Sequence, residues 1–274
     1  MNKEVSYNGH RICYHVHGKG QPVILIHGFG ETSDVWDQQI EFLQKDFLLI
    51  IPDLPGSGES ELVEDMSIEG MADVIKAILD AQKKDSPLGD GGKEGAKTSV
   101  IGHSMGGHIT LAFAEKFGHH LKRFGLFHSS AAPDTEERKK MRRKGITFMR
   151  KHGPFKFLET MVPNLYNQLF RDQHPEFVGQ RLQSMRNISL DTLVYYYEAM
   201  INRPDRRTVL KNTGLPVLFI IGEKDTAVAM EDLLNQSYMP GKSYIYILSN
   251  SGHMGMLEEP NRSNSILEDF LKSE

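Results

Sequence analysis

Apolar runs alternate with helix-like segments along most of this 274-residue chain, and this alternation constrains its fold more than any other feature. The runs contain few polar residues, which is typical of strands that are covered on both faces in a parallel sheet. They lie at residues 22–26, 47–51, 99–101, 124–127, 217–221 and 244–248. The helix-like segments lie at residues 34–44, 67–83, 104–117, 231–238 and 261–271. Strands that alternate with helices predict a doubly wound α/β fold.

Two further strand-like runs precede this pattern. Residues 5–7 and 11–16 flank Asn8-Gly9, and Asn-Gly between strand-like runs is a strong hairpin signal. We therefore expect the chain to begin with a β-hairpin.

One long segment interrupts the alternation. Residues 134–207 have no convincing strand pattern, are rich in Met, Phe and Tyr, and contain Pro154, Pro163 and Pro175. Ligands of open α/β sheets bind beyond the carboxyl ends of the strands. We therefore expect residues 134–207 to form a helical lid, called here the lid segment, over a core of residues 1–133 and 208–274. The polar, glycine-rich residues 85–97 are predicted to form a surface loop.

Composition and charge exclude several classes of function. The net charge of −4 gives no general attraction to nucleic acid, and the single cysteine, Cys13, cannot form an internal disulfide. No apolar run is long enough to span a bilayer, and the first ten residues do not resemble a signal peptide. No spacing of His, Cys and carboxylate residues indicates a metal site. We expect a cytoplasmic protein with a small-molecule partner and no metal; the oligomeric state stays open.

The pentapeptide Gly102-His103-Ser104-Met105-Gly106 follows an apolar run at residues 98–101. A strand that changes into a helix at Ser104 must turn sharply, and glycines on both sides remove side chains where strand and helix crowd each other. Such a turn holds the serine hydroxyl out of the sheet at the start of a helix. Ser104 is therefore a candidate nucleophile.

A serine nucleophile needs a base, and His253 is the best candidate. It follows the strand-like run at residues 244–248, between small residues that let its loop approach the sheet edge. His103 is next to Ser104, but we expect it to point away on the turn. Among the eleven other histidines of the chain, five are placed by their pattern in the N-terminal hairpin or at a helix end: His10, His15, His17, His119 and His120.

The imidazole needs a carboxylate that holds its tautomer. Asp225 follows the strand-like run at residues 217–221, and Glu223 and Asp134 are weaker alternatives. With Asp225 the chain order is serine, acid, histidine.

An oxyanion needs two backbone amides that are already in place. The helix that follows Ser104 offers the amide of Met105. The loop His27-Gly28-Phe29-Gly30, which follows the first apolar run, offers the amide of Phe29.

Five segments of the sequence resemble the motifs of one protein superfamily. They are His27-Gly28-Phe29-Gly30, Pro52-Asp53-Leu54-Pro55-Gly56-Ser57-Gly58, Gly102-His103-Ser104-Met105-Gly106-Gly107, Gly222-Glu223-Lys224-Asp225 and Ser251-Gly252-His253. Together they resemble the motifs of the α/β-hydrolase superfamily, and most of all its lid-bearing esterase and C–C bond hydrolase branches, over residues 5–271. The resemblance implies an eight-stranded, mostly parallel sheet with helices on both faces, no cofactor and a covalent acyl-enzyme.

We therefore expect a serine hydrolase that cleaves a carboxylic ester, a lactone or a thioester. A C–C bond hydrolase of the meta-cleavage type could use the same triad, although such enzymes usually have asparagine where this chain has His103. Acyl transfer to a nucleophile other than water would use the same residues. A non-catalytic small-molecule receptor on the same scaffold is the alternative of another class.

The lid segment is expected to determine the substrate. Phe148, Phe157 and Met161 are the candidates for lining a pocket. Residues 134–187 contain twelve Lys or Arg and only six Asp or Glu, most densely at residues 138–144. These charges either attract an anionic substrate or surface, or form a solvated helix face. For a C–C hydrolase, Arg142, Arg143 or Arg150 could bind a substrate carboxylate.

Overall fold

The computed structural model describes residues 1–85 and 97–273. These residues form one eight-stranded sheet. Its strands are β1 (Asn2–Tyr7), β2 (His10–His17), β3 (Gln21–Ile26), β4 (Phe47–Pro52), β5 (Thr98–His103), β6 (Leu121–Phe127), β7 (Val217–Gly222) and β8 (Ser243–Leu248). Residues 86–96 of the predicted surface loop lie outside the described residues.

The sheet has the strand order β1-β2-β4-β3-β5-β6-β7-β8. Strand β2 is antiparallel to both β1 and β4, and every other neighbouring pair is parallel. All residues of β4, β5 and β7 are buried, so helices and loops cover both faces of the sheet. The predicted α/β fold with a mostly parallel eight-stranded sheet is confirmed.

The N-terminal hairpin turns at Asn8 and Gly9, whose φ angles are 50° and 87°. Two positive φ angles define the turn that matches the twist of paired strands, and Asn-Gly is the dipeptide that adopts it at least cost. The hairpin prediction therefore holds, with both strands longer than the sequence pattern indicated.

The described residues contain twelve α-helices. They are α1 (Asp37–Leu43), α2 (Ile68–Asp85), α3 (Met105–Phe117), α4 (Glu136–His152), α5 (Pro154–Met161), α6 (Gln168–Gln173), α7 (Pro175–Ser184), α8 (Leu190–Asn202), α9 (Arg207–Asn212), α10 (Met230–Ser237), α11 (Gly255–Glu258) and α12 (Pro260–Lys272). Short 3₁₀ turns occur at Ser33–Trp36, Gly118–His120 and Val162–Leu165. None of the helices in residues 1–85 and 97–273 is long and apolar enough to cross a membrane.

Helices α4 to α8 lie within the lid segment, which connects the neighbouring strands β6 and β7. Pro154 and Pro175 occupy the first positions of α5 and α7, where a missing amide hydrogen costs nothing. The prolines thus divide the segment into short helices. Helix α9 begins at Arg207, so it crosses the predicted boundary at residue 207; the division into a core and a lid remains a prediction.

Candidate active site

Ser104 lies between β5 and α3 in a strained turn. Its φ and ψ are 51° and −115°, a region that residues with a side chain rarely adopt. A Cβ atom at Gly102 would overlap the carbonyl of Gly106, and a Cβ atom at Gly106 would overlap the carbonyl of Ile26. The two glycines therefore allow the close strand–helix approach that the pentapeptide predicted.

Ser104, His253 and Asp225 form a hydrogen-bonded chain. Ser104 Oγ lies 2.8 Å from His253 Nε2, and His253 Nδ1 lies 2.7 Å from Asp225 Oδ2. The three residues follow β5, β8 and β7, so parallel strands bring them to the same edge of the sheet. Asp225 Oδ1 also accepts hydrogen bonds from the amides of Ala227 and Val228, at 2.8 and 3.0 Å. These amides fix the carboxylate that faces the imidazole.

Neither of the two weaker acid candidates takes this place. Glu223 is exposed and pairs with Lys224, whereas Asp134 is buried and pairs with Arg142 and Arg203.

Asp225 and His253 influence each other's protonation. Burial alone would raise the pKa of Asp225, but the charge and the hydrogen bond of His253 outweigh it and lower this pKa to about 2. Burial opposes the imidazolium form of His253, but Asp225 outweighs this effect and raises the pKa above its usual value. Because Nδ1 faces a carboxylate, it carries the hydrogen and donates it. Nε2 of the neutral ring is then free to accept the hydrogen of the Ser104 hydroxyl.

The two predicted oxyanion donors belong to segments that are next to Ser104. Met105 is the first residue of α3, and the first amides of a helix have no partner within the helix. The loop after β3 lies against Ser104, since a Cβ atom on Gly28 would sit 3.1 Å from Ser104 Cβ. Phe29 follows Gly28 in this loop. The helix start and the loop are thus both next to Ser104.

Sequence reasoning missed a buried ion pair beneath this loop. Glu31 Oε2 accepts hydrogen bonds from the Gly28 amide at 2.6 Å and from His103 Nδ1 at 3.0 Å. Burial would raise the pKa of Glu31, but His103 lowers it to about 2. His103 Nε2 donates to the carbonyl of His253 at 2.9 Å. Both ring nitrogens of His103 therefore face oxygen atoms. His103 does point away from Ser104, as expected, but it joins the loop after β3 to the loop of His253.

A second carboxylate, Glu258, joins the His253 loop to the lid segment. It accepts hydrogen bonds from the amides of Gly252 and Met254 at 2.9 and 3.0 Å, and from that of Asn167 at 2.6 Å. The amide of His253 also donates directly to the carbonyl of Leu165, at 2.6 Å. The lid segment therefore helps to hold the backbone of the candidate base.

A cavity of about 350 Å³ opens at Ser104 and His253. Its lining includes Phe29, Phe157, Met161, Leu165 and Tyr197, together with His108, His128 and three arginines. Two of the three predicted pocket residues, Phe157 and Met161, therefore line it.

Phe148 differs from the prediction, because it does not line this cavity. Its ring is half-buried and lies 4.6 Å from that of His152 and 6.4 Å from that of Phe157. Phe148 thus supports the lining residue Phe157. Of the three consecutive tyrosines at residues 195–197, only Tyr197 lines the cavity; Tyr196 is buried against the loop at Pro55.

Among residues 1–85 and 97–273, no group of three or more His, Cys, Asp or Glu side chains is placed to hold a metal ion.

Comparison with known proteins agrees with this architecture. Residues 21–260 match the family model of the alpha/beta hydrolase fold. Lipase 3 of Moraxella sp. (strain TA144) is 25% identical over 247 residues, which cover 87% of this chain and 73% of the lipase. A thermophilic esterase from Thermogutta terrifontis, solved with malate bound, superposes with a TM-score of 0.89 at 26% identity, covering 99% of this chain and 98% of the esterase.

The enol-lactonase from Burkholderia xenovorans LB400 shares the fold at lower identity. Its TM-score is 0.88 at 19% identity, with 99% of this chain and 100% of the lactonase covered. The match of the family model over most of the sequence shows that this chain belongs to the α/β hydrolase fold family, in which it has lipase and esterase relatives.

Proposed function

We propose that this protein is a serine hydrolase that cleaves a carboxylic ester through an acyl-enzyme on Ser104. The observation that carries the proposal is the chain of hydrogen bonds from Ser104 Oγ through His253 to Asp225. Ser104 and His253 line a cavity, so a bound molecule could reach the serine hydroxyl. The lipase and esterase among its relatives support the same reaction class.

In the first half of the reaction, Ser104 Oγ attacks the carbonyl carbon of the ester while its hydrogen passes to His253 Nε2. Asp225 stabilises the imidazolium that forms, because its carboxylate stays ionised. The amides of Met105 and Phe29 donate to the oxyanion. The tetrahedral intermediate then expels the alkoxide part, which takes the hydrogen from Nε2 and leaves as an alcohol.

In the second half, a water molecule gives one hydrogen to His253 Nε2 and attacks the acyl-enzyme. Collapse of the second intermediate breaks the bond to Ser104 Oγ, which recovers its hydrogen from Nε2 as the carboxylic acid leaves. A lactone or a thioester would follow the same steps with a tethered alcohol or a thiol as the leaving group. A nucleophile other than water would give acyl transfer.

Rapid mixing with 4-nitrophenyl butyrate tests the proposal. We expect an initial burst of one equivalent of 4-nitrophenolate per protein. Digestion of quenched protein should yield the Ser104 peptide heavier by one butyryl group. Acylation of another residue, or turnover without any acyl-serine, would contradict the proposal.

The same preparation distinguishes the alternatives. Consumption of a dienoic ring-fission product, with ester hydrolysis slower by orders of magnitude, would indicate a C–C bond hydrolase. Binding of an ester without turnover would indicate a receptor.

A further inference from the structure

One part of the cavity wall is strongly cationic. Arg138 and Arg142 of α4 and Arg203, just after α8, line the same cavity as Ser104 and His253. Of the three arginines that the sequence suggested for a substrate carboxylate, only Arg142 belongs to this group. Arg143 and Arg150 are exposed and do not line the cavity.

A single carboxylate pairs with two of these three guanidinium groups. Asp134 is buried and forms ion pairs with Arg142 at 2.6 Å and with Arg203 at 3.0 Å. Arg203 also donates to the carbonyls of Met200 and Ala132. Arg138 has no ion pair with any residue in the described part of the chain. Arg142 and Arg203 are therefore held in place. The arginine cluster, defined as Arg138, Arg142 and Arg203, carries more positive charge than Asp134 balances.

Neither of the two other carboxylates near Ser104 forms an ion pair with the cluster. Glu31 accepts hydrogen bonds from His103 and from the Gly28 amide, and Asp225 faces His253 and is not among the residues that line the cavity. Burial keeps His108 and His128 neutral by lowering their pKa values well below the usual range, and Arg203 and Arg142 lower that of His108 further. Burial also lowers the pKa of Arg203, to about 10, so its guanidinium remains charged at neutral pH.

The arginine cluster lies within reach of a substrate bound at Ser104. His108 lies on α3, about one helical turn after Ser104, which is a rise of about 6 Å. Arg203 is close enough to His108 for its charge to lower the pKa of this histidine. A second cavity of about 260 Å³ shares Arg138 and Arg203 with the first. Arg138 and Arg203 thus lie where the two cavities meet, whereas Arg142 lines the first cavity alone. The apolar residues Phe29, Phe157 and Met161 also line only the first cavity.

We propose that the arginine cluster binds a carboxylate carried by the ester substrate. The preferred substrates would then be anionic esters, either half-esters of short dicarboxylic acids or esters of hydroxy acids. The planar fork of an arginine side chain matches a carboxylate, and hydrogen bonds between such charged groups are about twice as strong as neutral ones. This inference rests on the proposed ester hydrolysis at Ser104.

Hydrolysis of matched ester pairs tests the inference. Monomethyl glutarate and methyl 5-methylhexanoate have the same shape but differ by a carboxylate in the acyl part. Sodium 4-acetoxybutyrate and 4-methylpentyl acetate differ in the same way in the alcohol part. We expect kcat/KM to favour the anionic member of one pair by about 10-fold or more at low ionic strength, less at high salt. The pair that shows the preference identifies which side of the ester faces the cluster.

Variants of Arg138 assign the preference to the cluster. The anionic-to-neutral ratio of kcat/KM should fall about 10-fold in Arg138→Gln, and Arg138→Lys should retain part of it because the charge remains. Arg143→Gln, an exposed change on the same helix, is the matched control and should leave the ratio unchanged. An anionic-to-neutral ratio of kcat/KM close to one for both ester pairs in the wild type would overturn the inference. So would a ratio that survives in Arg138→Gln and Arg142→Gln alike.

A binding measurement keeps this test separate from that of the proposed function. Calorimetric titration of the Ser104→Ala variant with monomethyl glutarate and 4-acetoxybutyrate requires no turnover. We expect one of these anions to bind about 10-fold more tightly than its neutral partner, and Arg138→Gln should abolish the difference. If no ester is hydrolysed but this difference is found, the proposed function fails and the anion site stands. If neither anion binds more tightly than its neutral partner, the anion site fails.

Discussion

The core and the lid segment contribute to the same cavity in different ways. The core supplies Ser104, Asp225 and His253 from the ends of three parallel strands, whose spacing and register are set by backbone hydrogen bonds. The lid segment supplies Phe157, Met161, Tyr197 and the arginines from helices that are positioned by side-chain packing. The hydrogen bonds of the sheet fix the position of a strand end, whereas a helix that is held by side-chain packing can rotate or shift. For the proposed hydrolase, this difference assigns the reaction to the core and the choice of ester to the lid segment.

The two regions are nevertheless joined at several points. Tyr196 of the lid segment lies within hydrogen-bonding distance of Ser57 and donates to the carbonyl of Pro55, while Arg181 pairs with Asp34 at 2.8 Å. Together with the bonds of Leu165 and Asn167 to the His253 loop, these contacts hold the lid segment over the carboxyl edge of the sheet. Because Ser104, Asp225 and His253 lie in the core, changes in the core should affect kcat most. Because the lid segment supplies much of the cavity lining, changes there should affect KM and substrate preference.

The largest effect is expected at Ser104. Ser104→Ala should lower kcat for a 4-nitrophenyl ester by about 10⁵-fold or more, because the nucleophile is lost while the fold is retained. Ser265→Ala, an exposed serine on α12, is the control and should keep full activity. Activity in Ser104→Ala within tenfold of the wild type would contradict the assignment.

Two neighbouring acids provide the next comparison. Asp225→Asn should lower kcat by about 10⁴-fold, because the imidazole loses the carboxylate that fixes its tautomer. Glu223→Gln, two residues earlier and exposed, should change kcat less than twofold. Similar losses of kcat in both variants would mean that kcat depends on the loop as a whole and not on the hydrogen bond of Asp225.

The pH dependence tests the electrostatics of the core. His253 must be neutral to accept a hydrogen, and the carboxylates around it raise its pKa despite burial. Activity is therefore complete above this pKa and falls tenfold per pH unit below it, with a midpoint above pH 6.5 in a kcat/KM profile. Asp225→Asn should move the midpoint to lower pH, because the largest raising effect is removed. A midpoint below pH 6 in the wild type would be inconsistent with this environment.

A change at Glu258 tests the connection between the two regions. Its carboxylate accepts three backbone hydrogen bonds, from Gly252, Met254 and Asn167, and the single oxygen of glutamine cannot replace both carboxylate oxygens. Glu258→Gln should lower kcat by about tenfold, because the His253 loop is held less firmly. Hydrogen exchange of the amides at Asn167 and Gly252 should rise together. An increase at Gly252 alone would show that the lid segment is not coupled to the base.

The smallest effects are expected for two aromatic residues of the lid segment. Phe157→Ala should change the dependence of KM on acyl chain length several-fold, because Phe157 lines the cavity. Phe148→Ala should lower the free energy of unfolding by about 1–2 kcal/mol and leave the chain-length profile unchanged, since its half-buried ring only supports Phe157. The same shift in chain-length profile in both variants would remove the distinction between lining and support.

The sequence was more informative about the core than about the lid segment. The strands, their mostly parallel order and the meeting of Ser104, Asp225 and His253 could be predicted, because apolar runs define strands and loop residues at their ends must share one edge. Glu31 and His103 could not be paired, since they are 72 residues apart and neither belongs to a periodic pattern. A charged residue directly after a glycine-rich oxyanion loop is the one signal that could have drawn attention to Glu31.

The lid segment shows where sequence patterns fail. Phe148 and Phe157 are both apolar residues on amphipathic helices, and periodicity does not reveal which of them reaches a cavity and which packs against its neighbour. The dense basic run at residues 138–144 attracted attention, yet Arg138 and Arg142 are the only basic residues of this run that line the cavity. Their third partner, Arg203, is about 60 residues away. Such groupings depend on how helices pack, which short-range patterns do not encode.

Labelling with a fluorophosphonate tests the central claim most directly, because the reagent reacts with an activated serine and needs no knowledge of the substrate. Intact mass spectrometry should show one adduct per wild-type protein and none on Ser104→Ala, with labelling of Asp225→Asn slower by orders of magnitude. Peptide mapping should place the adduct on Ser104. An unlabelled wild-type protein, or an adduct that persists in Ser104→Ala, would contradict the account.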